Sequence, residues 1–320
     1  MRGKVNEHCA TAHAEEPFCD GKARKTMLKL RGSYVALVTP FTSDDRVNHA
    51  LLRELVEWHI EQGTDGIVPV GTTGESPTLT YDEHEAVIET VVEAVNGRIP
   101  VIPGTGSNST REAVHMTHHA KMVGADGALI VLPYYNRPSQ AGLIAHIERL
   151  NEVGIPLVIY NIPSRTGINM EPETFGTLSH LENVVGVKEA SGNINQMSEV
   201  IIRTGGRCAV MSGDDALTLP LLAIGGAGVV SVIANLFPSD MARMVAAWEE
   251  GKRDEARELH EKLFLLAKAL LALETNPGPI KEAMNLTGHS VGHVRQPLAG
   301  LSPINKEKLR SLLTEAGLIS

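Results

Sequence analysis

The chain has 320 residues, 42% of them hydrophobic, with a net charge of −9 and a pI near 5.8. That is apolar content enough for one large α/β domain or two smaller ones, and it excludes disorder over most of the length. The acidic balance argues against nucleic acid, whose phosphates call for a basic face, and no apolar run approaches the ~20 residues of a membrane span.

Residues 1–29 are polar, carry both signs of charge and show no apolar periodicity. They lack the apolar core of a secretory signal, and Glu7, Glu15, Glu16 and Asp20 speak against a transit peptide. The expectation is a disordered extension, with Met27 as an alternative start. His8, Cys9, His13 and Cys19 match no zinc spacing, so no metal site is expected there. Cys9, Cys19 and Cys208 are too few and scattered for a disulfide framework, which suits a reducing compartment, the cytoplasm.

From residue 30 one pattern recurs: a short β-branched run, a Gly- or Pro-containing loop, then a helical stretch. The runs are SYVALVTP (33–40), GIVPV (66–70), PVIPG (100–104), ALIVL (128–132), PLVIY (156–160), VVGVK (184–188), AVMSG (209–213) and GVVSV (228–232). Nearly continuous apolar runs read as strands covered on both faces, as in a parallel sheet. Helical patterns with apolar residues three and four apart lie between them, such as 51–62 and 82–95. Eight such units predict an α/β fold, a (β/α)8 TIM barrel over 30–239, which leaves no open sheet edge. An open doubly wound sheet is the alternative, weakened by the lack of G-x-G-x-x-G after the first strand. Residues 240–320 read as helices broken at Asn276-Pro277-Gly278-Pro279: the last barrel helix plus a small C-terminal helical appendage.

A barrel carries its active site at the C-terminal ends of its strands. Polar residues stand there: Thr39, GTTGES (71–76), YYNRPSQ (134–140), Tyr160 with NIPSRTG (161–167), Lys188, SGDD (212–215) and Ser231. Lys188 ends an apolar run that would deliver it to the barrel mouth. An ammonium among valines loses hydration, so its pKa falls and more free amine is present to attack a carbonyl and form a Schiff base. From position alone a second reading stands beside it, a strand-end lysine that snorkels or pairs with Glu189.

Taken together and in this order, GTTGES, PYYNRPSQ, YNIPSRTG, GVKEASGN and SGDD resemble the dihydrodipicolinate synthase / N-acetylneuraminate lyase family of pyruvate-dependent class I aldolases, over residues 30 to 315. The resemblance implies a (β/α)8 barrel, condensation of pyruvate with L-aspartate 4-semialdehyde, a homotetramer, and no metal or organic cofactor. It makes Lys188 the Schiff-base lysine and Tyr160 its proton relay, with Thr72 and Tyr135 completing the relay and Tyr135 supplied by a neighbouring subunit. Hydroxyls both donate and accept, so a chain of them moves a proton without net charge. Thr73 and the N–H groups of its glycine-flanked loop would cradle the pyruvate carboxylate, and the backbone near Gly213 and Val230 would line the pocket. Arg165 would clamp the carboxylate of the semialdehyde, which favours the synthase branch over the sugar-acid lyases.

By the same resemblance, Ser76, Pro77, Tyr81, His84, Asn108, Glu112 and Tyr134 correspond to a pocket at which L-lysine inhibits some members. Tyr81 stands where inhibited enzymes often have histidine. The alternatives in function are a sister aldolase acting on N-acetylneuraminate, 2-keto-3-deoxy sugar acids or 4-hydroxy-2-oxoglutarate, and a barrel that binds a keto acid without turnover.

Overall fold

The structure, a computed structural model, describes residues 28–319. The expectations for residues 1–27, including the His/Cys group, fall outside the described residues. Leu28 is already part of the fold, packed against the barrel interior.

Seven strands form one parallel sheet: β1 (Gly32–Ala36), β2 (Gly66–Val68), β3 (Ala128–Val131), β4 (Leu157–Asn161), β5 (Val184–Glu189), β6 (Ala209–Ser212) and β7 (Gly228–Ser231), ordered β2-β1-β7-β6-β5-β4-β3. The gap between β2 and β3 is closed by residues 100–104, expected as a strand. They pair by single parallel bridges, Val101 to Ile67 and Gly104 to Leu129. The Ile67 and Leu129 N–H groups donate to the carbonyls of Pro100 and Pro103. Neither proline has an N–H to return, so the ladder forms in pieces where an ordinary strand would run on. The barrel is therefore closed, with seven regular staves and one interrupted.

Alternation along the strands sorts residues into two environments. Tyr34, Ala36, Val68, Ile102, Leu129, Val158, Tyr160, Met211 and Val230 fill the barrel interior. Their neighbours Val35, Ile67 and Val229 face one group of outer helices, and Ile130, Ile159, Val187 and Val210 face another. Both faces of each strand are thus buried, which explains the continuous apolar runs.

The helices are α1 (His49–Glu61), α2 (Tyr81–Val95), α3 (Thr110–Met122), α4 (Gln140–Asn151), α5 (Pro163–Thr166), α6 (Pro172–Leu178), α7 (Ile194–Thr204), α8 (Thr218–Ala223), α9 (Pro238–Glu249), α10 (Arg253–Ala272), α11 (Gly278–Leu286) and α12 (Pro303–Glu315). Helix α2 starts at a capping box in which Thr80 accepts from the Glu83 N–H and Glu83 reaches back to the Thr80 N–H. Between α10 and α11, residues 273–277 bring Asn276 to Thr73 and Arg165. No helix among the described residues is long and apolar enough to cross a membrane.

Candidate active site

Lys188 is the penultimate residue of β5 and is only 5% exposed. Alternation places Val187 outward and Lys188 inward, in register with Tyr160 on β4. The Lys188 Nζ lies 4.2 Å from the centroid of the Tyr160 ring. Burial, aided by the Arg165 charge and opposed by the Asp215 carboxylate, pulls the lysine down to about 8. At neutral pH about a tenth of such side chains carry a free amine, against well under a thousandth for an ordinary lysine. Pairing with Glu189 does not occur. That carboxylate points to the other face, where Asn161 Nδ2, Gln196 Nε2 and the Ser191 N–H all donate to it.

Gly213 leaves room for the lysine stem. A Cβ there would fall 2.7 Å from the Ala190 Cβ and 3.1 Å from the Lys188 Cε. Tyr160 is held in its phenol form, pushed up to about 12 by burial, while Arg165 and a hydrogen bond from Thr72 pull the other way. Thr72, Tyr160 and Arg165 line one cavity of about 330 Å³ with Gly71, Ile162 and Tyr134. Lys188, whose Nζ sits over the Tyr160 ring, does not itself line that cavity; neither do Thr73, Gly213 and Val230. Val230 is buried in the barrel interior beside Tyr160 and Met211.

The loop after β2 is the irregular part of the site. Gly74 is required there, since a Cβ would sit 2.8 Å from the Val70 nitrogen, whereas a Cβ at Gly71 would only touch the Val68 Cγ1 at 3.9 Å. The Thr39 hydroxyl donates to the Gly74 carbonyl at 2.7 Å. Among the described residues, neither the Thr72 nor the Thr73 N–H has a protein acceptor, which leaves two donors for an anion. Glu75 follows in left-handed backbone, φ 57°. It is held by the Lys281 ammonium at 2.8 Å and by the Arg295 N–H at 2.8 Å. Lys281 also donates to the Thr39 carbonyl at 3.0 Å, and burial pulls its pKa below the usual lysine value, with Glu75 opposing. Arg165 Nη2 donates to the Asn276 carbonyl at 3.0 Å, which holds the guanidinium beside the cavity.

Sequence reasoning assigned no role to Asn276, Lys281, Glu75 or Asp215. Glu75 and Asp215 stood inside motifs singled out for their neighbours. Lys281 and Asn276 act some 200 positions from their partners in the 73–75 loop, at separations of 206 and 203 residues, where no local pattern can signal them. Asp215 is buried, and burial raises its pKa against hydrogen bonds from Ser231 and the N–H groups of Ile233 and Val232.

Tyr135 is not brought to the cavity of its own chain. It is 90% exposed, at φ 71° in the left-handed region. Its neighbour Tyr134 lines both the first cavity and a second one of about 390 Å³. Six of the seven residues expected to form an inhibitor pocket line that second cavity: Ser76, Pro77, Tyr81, His84, Glu112 and Tyr134. Asn108 is absent from the lining; its carbonyl accepts from Asn136 Nδ2. Glu112 accepts from the Ser107 hydroxyl at 2.8 Å, and His84 Nε2 lies 2.9 Å from the Gly104 carbonyl. Ser76, Pro77, Gly106 and Tyr134 belong to both linings, so the two cavities share a wall.

A closed barrel with a desolvated lysine at its mouth, stacked on a tyrosine and close to an arginine, has the architecture of the imine-forming class I aldolases. The chain belongs to the dihydrodipicolinate synthetase family, whose model matches residues 29–316. It is 51% identical over 290 residues to the 4-hydroxy-tetrahydrodipicolinate synthase of Geotalea uraniireducens, covering 90% of this chain and 99% of that one. Among solved structures it resembles the chloride-inhibited dihydrodipicolinate synthase of Acinetobacter baumannii in complex with pyruvate, with TM-score 0.88, 42% identity, and 91% and 100% of the two chains covered. It also resembles the enzyme of Cyanidioschyzon merolae with lysine bound, with TM-score 0.87, 40% identity, and 90% and 99% covered.

Proposed function

We propose that this chain condenses pyruvate with L-aspartate 4-semialdehyde to 4-hydroxy-tetrahydrodipicolinate, a cytoplasmic step of lysine and diaminopimelate biosynthesis. The observation that carries the reading is Lys188, buried, in register with Tyr160 and lowered to about 8. Its free amine adds to the keto carbon of pyruvate, and loss of water leaves a protonated imine. That imine draws electrons from the methyl carbon, which gives up a proton to become an enamine. The enamine carbon then attacks the aldehyde of the second substrate. The amino group of that substrate closes the ring by adding to the imine carbon, which frees Lys188.

Each transfer of a proton falls to the hydroxyl chain. Tyr160 and Thr72 are in contact within one chain, and the exposed Tyr135 is assigned to the active site of a neighbouring subunit in a homotetramer. The free N–H groups of Thr72 and Thr73 receive the pyruvate carboxylate, the Gly213 and Val230 backbone borders it, and Arg165 receives the carboxylate of the semialdehyde. The second cavity is assigned to L-lysine as inhibitor, with Glu112 facing its ammonium.

The test is a coupled assay: NADPH consumption with pyruvate, aspartate semialdehyde and dihydrodipicolinate reductase, with Lys188→Ala as control. Consumption that needs Lys188 is expected, and L-lysine added to the same assay lowers the rate. A pyruvate adduct trapped on Lys188 by borohydride without any NADPH consumption would move the assignment to a sister aldolase.

A further inference from the structure

Asn276 lies at the turn between α10 and α11, outside the barrel strands, and is buried. Its two ends face two different parts of the site. The side-chain Nδ2 donates to the Thr73 hydroxyl oxygen at 3.0 Å, and the backbone carbonyl accepts from Arg165 Nη2 at 3.0 Å. The Thr73 hydroxyl donates to no protein atom among the described residues, although the side chain is only 2% exposed.

A hydroxyl has one proton to give and lone pairs that accept. With a lone pair already taken by the amide of Asn276, the Thr73 proton is directed away from Asn276 and is left for an acceptor outside the protein. Being buried, it finds that acceptor in low dielectric, where a hydrogen bond to a charged group is strengthened. The unsatisfied N–H groups of Thr72 and Thr73 lie in the same loop, so the hydroxyl adds a third donor to one anion-binding cluster.

We propose that Asn276 is a positioning residue for the reaction above, orienting the Thr73 hydroxyl toward the carboxylate of the keto acid, while its backbone carbonyl separately places Arg165 for the second substrate. Asn276 touches neither substrate. Truncating its side chain therefore affects the keto acid alone, because the contact to Arg165 is made by the main chain.

The inference rests on the proposed reaction, so its readout is chosen to stand without the second substrate: the pyruvate concentration that gives half-maximal borohydride trapping on Lys188. Asn276→Ala is expected to raise that concentration, and the pyruvate KM in the coupled assay, about ten-fold, the worth of one hydrogen bond to a charged group. The KM for aspartate semialdehyde and kcat stay within about two-fold. In a Thr73→Val background the same substitution adds nothing, since the group it positions is gone. Asn276→Asp, nearly the same size, replaces the donor by a carboxylate that takes the Thr73 proton for itself and repels an anion, so it raises the requirement further than alanine does and serves if the alanine variant does not fold.

An unchanged pyruvate requirement in both variants would overturn the proposal. So would full additivity with Thr73→Val, or an equal loss in both KM values and kcat, which marks a general structural effect. Trapping that responds as expected in a chain that consumes no NADPH would uphold Asn276 and sink only the choice of second substrate. A wild-type chain that traps no pyruvate at all would overturn both.

Discussion

The two sides of the barrel mouth are built differently. On one side, β4, β5 and β6 pair continuously beyond one register shift at Leu157/Val158, and the groups assigned to covalent chemistry, Tyr160 and Lys188, project from paired strand positions. On the other, residues 66–104 hold a three-residue strand, a stave broken by prolines, and a loop whose shape depends on Gly74, left-handed Glu75 and contacts from 276–295. The difference separates two demands. Bond-making atoms need a fixed distance, which a hydrogen-bonded ladder supplies. A carboxylate needs several N–H and O–H groups converging on one point, which a strand cannot offer because its donors alternate and are already paired.

If that division holds, damage to the regular side falls on kcat and damage to the irregular side falls on stability and KM. Tyr160→Phe removes the proton carrier nearest Lys188 and is expected to lower kcat about 100-fold or more with little change in melting temperature. A variant with wild-type kcat would break the comparison. Lys281→Met strips the counter-charge from a carboxylate that is fully buried. Leaving it unpaired costs about 3–5 kcal/mol of stability, read from urea unfolding, and the surviving fraction shows a raised pyruvate KM. A smaller effect sharpens the regular side: as pH rises toward about 8, Lys188 loses its proton and the rate of imine trapping climbs close to ten-fold per unit, then levels above that value. A trapping rate still climbing ten-fold per unit at pH 10 would mean that burial has not lowered the lysine.

The regular side was also the legible one. The apolar runs ending at Tyr160 and Lys188 carry their own explanation: alternation turns these two inward to the mouth, while the next residues, Asn161 and Glu189, turn to the other face and bond each other there. Residues 100–104 had the same apolar look, yet Pro100 and Pro103 withhold two donors and only isolated bridges form. The glycine-flanked loop was recognisable as a binding element, but what fixes it was not. Asn276 and Lys281 reach it across more than two hundred residues, and contacts at that range leave no periodicity to read. Tyr135 is named as a relay residue by the resemblance alone; in one chain it is 90% exposed.

The hold of residues 276–281 on residues 73–75 bears on how relatives of this chain can be recombined. A crossover placed in any loop between α2 and α10 keeps each strand and helix intact and looks harmless on a secondary-structure diagram. It nonetheless parts Thr73 from Asn276 and Glu75 from Lys281, so a chimera inherits a matched loop only when both segments come from the same parent.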